Sequence, residues 1–231
     1  MKRIVLLCLV LMGLSVTSVA KSRVYLLGDG SMGVENDSAV VGWGDALSEH
    51  LVKDVMLQNE AQEGLSLKAF LESDGEQKIS ALPAKSILFL QFGGNDLNDS
   101  NPDQYSTLDS FVSQYKKLIK LALDNKLQVV LCTPIAQPYY REGLLVDRLG
   151  GYDDAVRRLA QYYHLPLLDL ETLTRAWWSS LSEADATAYI AGSKANEAVV
   201  LTESGAREVA KMAADAIKLL KSSKVAKIIK K

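Results

Sequence analysis

Acyl-transfer chemistry needs a hydroxyl or thiol nucleophile, a base that takes its proton, and donors for the oxyanion that forms. One stretch of this 231-residue chain offers the first of these. The run Val24-Tyr25-Leu26-Leu27 breaks into Gly28-Asp29-Gly30-Ser31-Met32-Gly33, a turn of glycines holding one carboxylate and one hydroxyl. At the carboxyl end of a strand in an open α/β sheet, such a corner would stand where ligands bind. Two further polar turns, Asn59-Glu60-Ala61-Gln62-Glu63-Gly64 and Gly93-Gly94-Asn95-Asp96, also contain glycine, which permits tight turns and close backbone approach. Only two histidines exist to serve as a base, His50 and His164. Cys132 lies in the apolar run Leu127–Thr133 and reads as a buried, inert thiol.

The elements that would position these residues follow from hydrophobic patterning. Arg23–Gly28, Asp54–Gln58, Ile87–Phe92, Leu127–Thr133 and Leu165–Leu170 read as strands. The third run, Ile87-Leu88-Phe89-Leu90-Gln91-Phe92, is of the continuous kind buried on both faces of a parallel sheet. Helices are expected over Asp45–Leu51, Leu65–Leu71, Tyr105–Asn125, Asp153–Tyr163 and Ser204–Leu220. The helix over Tyr105–Asn125 shows the clearest period, with Leu108, Phe111, Val112, Tyr115, Leu118, Ile119 and Ala122 at three- and four-residue spacing. Two shorter helical stretches hold Trp177 and Trp178. The long loop Ile135–Gly151 carries Tyr139, Tyr140 and Arg141, which either line a ligand groove or sit in a solvated loop. Strands alternating with helices predict a three-layer α/β/α sandwich around a five-stranded parallel sheet. Right-handed crossovers then bring every strand-to-helix turn to one edge.

Composition narrows the class. Lys2 and Arg3, the apolar run Ile4–Leu14 and the small residues Ser18-Val19-Ala20 read as a signal peptide over residues 1–20, cleaved after Ala20. That predicts export to the periplasm or the extracellular space, with residues 21–231 as a single domain. The chain has 26 basic and 28 acidic residues; without Lys2 and Arg3 the balance is 24 to 28, a net charge of −4. Nothing here suggests nucleic acid as a partner. No cofactor or metal site is expected. The run Lys221–Lys231 is basic with Val225, Ile228 and Ile229 interleaved. It could touch an acidic polysaccharide or an anionic membrane surface, but reads first as a fraying, solvated helix end.

The four turns, in this order, resemble the SGNH/GDSL hydrolase family, and most closely its carbohydrate esterases of the rhamnogalacturonan acetylesterase type. Tyr25-Leu26-Leu27-Gly28-Asp29 and the later Gly42-Trp43-Gly44 match the first block. Asn59-x-Ala61-x-x-Gly64-x-Ser66 fits the second, Gly93-Gly94-Asn95-Asp96 the third, and Leu201-Thr202-Glu203-Ser204-Gly205-Ala206 the segment that follows the family's histidine. The resemblance implies the flavodoxin-like SGNH fold, ester hydrolysis, and an oxyanion hole built from the N–H of the nucleophile residue, the N–H of Gly64 and the amide of Asn95.

The same alignment exposes departures. The family's serine follows Gly-Asp directly; here Gly30 stands in that slot and Ser31 comes one residue late. The family's histidine precedes Leu201; here the residue is Val200. Three residues earlier the family has aspartate, and here Glu197 takes its place. An orienting acid can vary, but triad members act as a unit, and loss of the base forfeits most of the rate. His50 ends the first helix and His164 precedes the fifth strand, so both are expected at the opposite sheet edge.

These observations predict an exported protein of this fold with lost or impaired esterase chemistry. It would bind a small molecule or carbohydrate, of acylated type, through Gly30, Gly64 and Asn95. Two alternatives stand beside it. Ser31 could act as a displaced nucleophile, with Asp29 or Glu197 as base, which requires Ser31 Oγ to face Asn95. Or the chain could use the scaffold alone as a structural partner.

Overall fold

The computed structural model describes residues 22–33, 41–192 and 197–231. The expected leader, 1–20, and most of the polar loop after Gly33 lie outside the described residues. Five strands form one sheet, β1 (Ser22–Gly28), β2 (Val55–Asn59), β3 (Ile87–Gln91), β4 (Gln128–Cys132) and β5 (Leu167–Leu168), in the order β2-β1-β3-β4-β5. Every pairing is parallel. The helices that matter below are α1 (Trp43–Ala46), α2 (Leu67–Glu72), α3 (Gly75–Ala81), α4 (Leu108–Asp124), α5 (Tyr152–Tyr162), α6 (Leu170–Ser179), α7 (Glu183–Ala186) and α8 (Glu203–Leu219). The fold is the expected three-layer α/β/α sandwich.

Side chains alternate across a strand, so each strand feeds two cores. Val24, Leu26, Phe89, Val130 and Cys132 pack with Trp43, Trp178 and the α8 residues Val209, Ala210, Ala213 and Ile217. Tyr25, Leu27, Leu88, Leu90, Val129 and Leu131 pack with Phe111, Tyr115, Leu118 and Ile119 of α4 and with α5. β1, β3 and β4 are buried on both faces, as their continuous apolar runs dictate. Strand register sets the active edge: Gly28 pairs with Gln91, and Gln91 with Cys132. The turns after β1, β3 and β4 therefore leave the sheet side by side, while β2 ends with Asn59 paired to Leu26, two residues before Gly28.

Three expectations are corrected. The fifth strand pairs only over Leu131↔Leu167 and Cys132↔Leu168, because Asp169 turns away to cap α6, accepting from Thr172 N. Helix α3 was not anticipated, since its segment buries only Ile79 and Gly75 and shows no period. The C-terminal run does not fray. Val225, Ile228 and Ile229 are buried in the core. Val52 N donates to Ile228 O at 2.8 Å and Lys230 N to His50 O at 2.8 Å, so the tail is stitched to the segment before β2. The apolar residues expected to be solvated pack against the α8 layer, and Lys221, Lys224, Lys227, Lys230 and Lys231 remain exposed. Among the described residues no helix is long and apolar enough to cross a membrane.

Candidate functional site

At the carboxyl edge of the sheet lies a cavity of about 410 Å³ lined by Gly30, Glu63, Gly64, Asn95, Asn101, Gln104, Glu197, Ala198 and Val200. It gathers the nucleophile slot, both oxyanion positions, the acid slot and the histidine slot. Gly64 has φ +72°, the left-handed region that favours glycine. Gln104 Nε2 donates to its carbonyl and holds the turn. Neither Gly30 N–H nor Gly64 N–H donates to a protein acceptor among the described residues. Asn95 is buried; its Nδ2 donates to Leu65 O at 3.0 Å and its Oδ1 accepts from Ala198 N at 2.9 Å. An amide carries two N–H groups, so one is left for a ligand. Gly30, Gly64 and Asn95 thus line one space, and N–H donors gathered in this way are what a carbonyl oxygen or anion requires.

Ser31 does not reach this cavity. Its Oγ donates to Asp29 Oδ1 at 2.6 Å and accepts from Gln91 Nε2 at 2.6 Å, and it is 1% exposed. It lines instead a narrow crevice with Asp29, Gly94, Pro134 and Val199, whose lining includes neither Gly64 nor Asn95. The placement needed for a displaced nucleophile is absent: the hydroxyl braces its own turn, as serines in turns do. Asp29 Oδ1 also accepts from Ser31 N at 3.0 Å, closing an Asx turn, and from Gln91 Nε2 at 3.0 Å. Gln91 in turn accepts from Trp43 Nε1 at 2.9 Å. Gln91 was missed as a site residue; its signal was one amide inside an otherwise apolar strand.

Two carboxyls beneath the site are held well above the usual range. Burial raises Asp29 to about 6, against the hydrogen bonds from Ser31 and Gln91. Its Oδ2 has no hydrogen-bond partner among the described residues. Burial likewise raises Asp96 to about 7. Asp96 accepts from Leu67 N at 2.9 Å and from Gly93 N at 3.0 Å, clamping the start of α2 to the β3 turn. Asp96 is therefore a cap rather than a ligand group.

The nucleophile slot itself is closed. A Cβ on Gly30 would lie 2.9 Å from Glu63 Cα, 3.2 Å from its Cβ and 3.3 Å from its Cγ. Glycine there matches the approach of the Glu63 stem. At the histidine slot Val200 begins a two-residue strand, Val200–Leu201, that pairs with Ile190–Gly192. Thr202 caps α8, accepting from Gly205 N at 3.2 Å, and a Cβ on Gly205 would meet Tyr189 O at 2.2 Å. The Leu201–Ala206 block thus keeps a packing role without the histidine.

The acid-slot residue Glu197 is fastened by two side chains that sequence reasoning did not single out. Gln137 Nε2 donates to its carbonyl at 2.7 Å and Asn98 Nδ2 to its Oε1 at 3.4 Å. Gln137 is held by its neighbour Ala136, whose N–H donates to Thr174 Oγ1 at 2.8 Å and whose carbonyl accepts from Trp178 Nε1 at 2.9 Å. The loop residues Tyr139, Tyr140 and Arg141 line none of this space. Tyr139 packs against Arg148 and Tyr140 donates to Trp178 O at 2.7 Å. His50 precedes β2 and His164 precedes β5, at the opposite edge of the parallel sheet.

Similarity to known proteins agrees with this architecture. A probable rhamnogalacturonan acetylesterase of Bacillus subtilis, YesY, is 30% identical over 203 residues, 86% of this chain and 94% of the relative. The rhamnogalacturonan acetylesterase RhgT of the same organism is 26% identical, covering 86% of this chain and 90% of its own length. An acetyl xylan esterase crystal structure superposes with a TM-score of 0.64 at 19% identity, covering 84% of this chain and 99% of that one. A Bacillus subtilis structure reaches a TM-score of 0.73 at 22% identity over 86% of this chain; the chain spans 56% of that longer protein. The model of the GDSL-like lipase/acylhydrolase family matches residues 26–192, and the chain belongs to that family.

Proposed function

We propose that this protein is an exported member of the family whose ester-hydrolysing machinery is lost or severely impaired, and that it binds an acylated carbohydrate at the Gly30–Gly64–Asn95 cavity. One observation carries the reading: the slot that should hold the nucleophile is a glycine pressed against Glu63, while the hydroxyl that follows it, Ser31, is tied to Asp29 and Gln91. Val200 cannot take a proton, and both histidines sit at the far edge. The donors need no triad to bind a carbonyl, since the oxyanion half of such a site is made of N–H groups. The acetylesterase relatives support a carbohydrate ester as the ligand.

The test is hydrolysis of p-nitrophenyl acetate together with binding of acetylated oligosaccharides, by calorimetry. Background-level turnover with measurable binding is the expected outcome. Turnover at the level of an active family esterase, abolished by Ser31→Ala, would overturn the reading.

A further inference from the structure

The sheet edge opposite the cavity gathers cations. Arg23 is the second residue of β1, and Lys53, Lys85 and Lys126 stand two residues before β2, β3 and β4; all four are exposed. Parallel register sets them side by side, since Ser22 pairs with Val55, Val24 with Ile87 and Ile87 with Gln128. Lys85 N donates to Lys126 O at 2.9 Å. Lys85 has φ +70° and Lys126 φ +60°, the left-handed region where glycine is the usual residue, yet both positions carry a charged side chain. The tail adds Lys221, Lys224, Lys227, Lys230 and Lys231, also exposed. Leu51 and Ile229 form an antiparallel bridge, and the residues that continue this pairing beyond Val52 and Ile228 are Lys53 and Lys227.

These charges are not neutralised where they stand. None of them forms an ion pair among the described residues; the Lys230 ammonium donates to the carbonyl of Glu49 at 2.6 Å. From Lys218 to Lys231 the chain carries no aspartate or glutamate. Of the carboxylates nearest in sequence, Glu49 is paired with Arg207, Asp124 with Lys120 and Asp215 with Lys218, which leaves Asp54. Outside the described residues the only carboxylates are Glu35 and Asp37, in a stretch whose ends, Gly33 and Val41, belong to the carboxyl edge. The whole chain has more acidic than basic residues, 28 to 26, so the excess of cations is a property of this edge.

We infer that this edge is a docking face for an anionic phospholipid bilayer, on which the domain lies with its cavity turned away. Lysines attract anionic headgroups additively. Val225, Ile228 and Ile229 are buried, so the tail has no apolar side chains of its own to insert, and attachment is electrostatic and reversible. A soluble acidic glycan fits less well. β1 is seven residues long, which puts about 20 Å between the cations and the cavity at about 3.3 Å per residue. A polymer held by the lysines would therefore not be presented to the Gly64 and Asn95 donors, whereas a surface held there leaves them open. The chain also enters the domain at this edge, where Ser22 follows the segment read as a membrane-targeting leader. The inference does not depend on what the cavity binds.

The experiment sediments the purified protein with vesicles of phosphatidylcholine alone and of phosphatidylcholine mixed with phosphatidylglycerol, at low salt. Two variants are compared with wild type: Lys224→Gln with Lys227→Gln and Lys231→Gln in the tail, and Lys53→Gln with Lys85→Gln and Lys126→Gln in the turns. Wild type should bind the mixed vesicles and not phosphatidylcholine. Each lysine removed should weaken binding about fivefold, so each triple variant loses about a hundredfold, and added salt should release the wild type. No sedimentation with the mixed vesicles, equal sedimentation with phosphatidylcholine, or binding unmoved in either variant would overturn the inference. Retention by polygalacturonate but not by the mixed vesicles would assign the edge to a soluble polyanion and overturn it as well. Occupancy of the cavity is read separately with acetylated oligosaccharides, so either reading can fail without the other.

Discussion

Asn95 Oδ1 accepts from Ala198 N at 2.9 Å, joining residues 103 apart in sequence. The same side chain donates to Leu65 O at 3.0 Å. Asn95 therefore pins the β3 turn to both the second turn and the segment that carries Glu197 and Val200. It spans the site as well as offering it a donor.

Asn95→Ala is accordingly expected to do two things. It leaves a buried carbonyl and a buried N–H unpaired, which costs about 1–3 kcal/mol each at most. Denaturant midpoints should fall by that order. Ligand binding should fall further than the stability loss explains, because the donor itself is gone. If binding survives in the folded fraction, the scaffold-only reading gains and the pocket reading fails.

The second prediction concerns pH. Asp29 is raised by burial from 3.8 to about 6. A group whose folded value is raised binds more protons folded than unfolded between those limits, so stability falls as pH rises from about 4 to about 6. The shift corresponds to about 3 kcal/mol. Asp29→Asn keeps an Oδ1 that can accept from Ser31 and Gln91, and it removes the titration. The fall in unfolding free energy between pH 4 and pH 6, read in urea, should flatten in the variant relative to wild type. Asp96, raised by burial to about 7, adds a similar fall extending to higher pH, so the wild-type slope is not abolished.

These carboxyls also show what the sequence could and could not reveal. The sheet was legible because Leu26-Leu27 and Ile87–Leu90 are continuous apolar runs, and parallel strands buried on both faces demand them. The site turns were legible because they break those runs with glycine, asparagine and aspartate. The role of Ser31 was not settled by type or spacing. An Asx turn from Asp29 and a hydroxyl aimed into the pocket are both compatible with Gly-Asp-Gly-Ser, and only the 2.6 Å contacts to Asp29 and Gln91 decide between them. Glu63 was invisible for a similar reason. Its approach to Gly30 comes from the crossing of two turns far apart in sequence.

The tail supplies a third prediction. Val225, Ile228 and Ile229 recur at three- and four-residue spacing, the signal of a buried face that the surrounding lysines obscured. Burying each such side chain is worth about 1.5–3 kcal/mol as an upper figure. Deleting residues 221–231 should lower the melting temperature by well over 5 °C, at about 2–4 °C per kcal/mol for a domain of this size. It should leave the cavity unaffected, since the tail docks beside His50 at the opposite sheet edge. A truncated chain that melts with wild type would contradict the packing.

The restoring experiment is the most demanding. Gly30→Ser with Val200→His returns the family's side chains to their slots, and a gain of esterase activity would show that the pocket is otherwise preserved. The structure predicts no such gain. A Cβ on Gly30 meets the backbone Cα of Glu63 at 2.9 Å, closer than real Cβ contacts come. Either the Glu63–Gly64 turn moves and carries the Gly64 donor out of place, or the serine is held off its attack position. A displacement of about 1 Å at such a site can cost about a hundredfold in rate. Adding Glu63→Gly removes the Cβ and Cγ contacts and leaves only the 2.9 Å approach to the Cα, so a smaller displacement of the turn makes room for the serine. The triple variant should therefore hydrolyse p-nitrophenyl acetate faster than the double variant, which should stay near background. If the double variant alone is active, Glu63 does not close the slot, and the loss of chemistry rests on Gly30 and Val200 only.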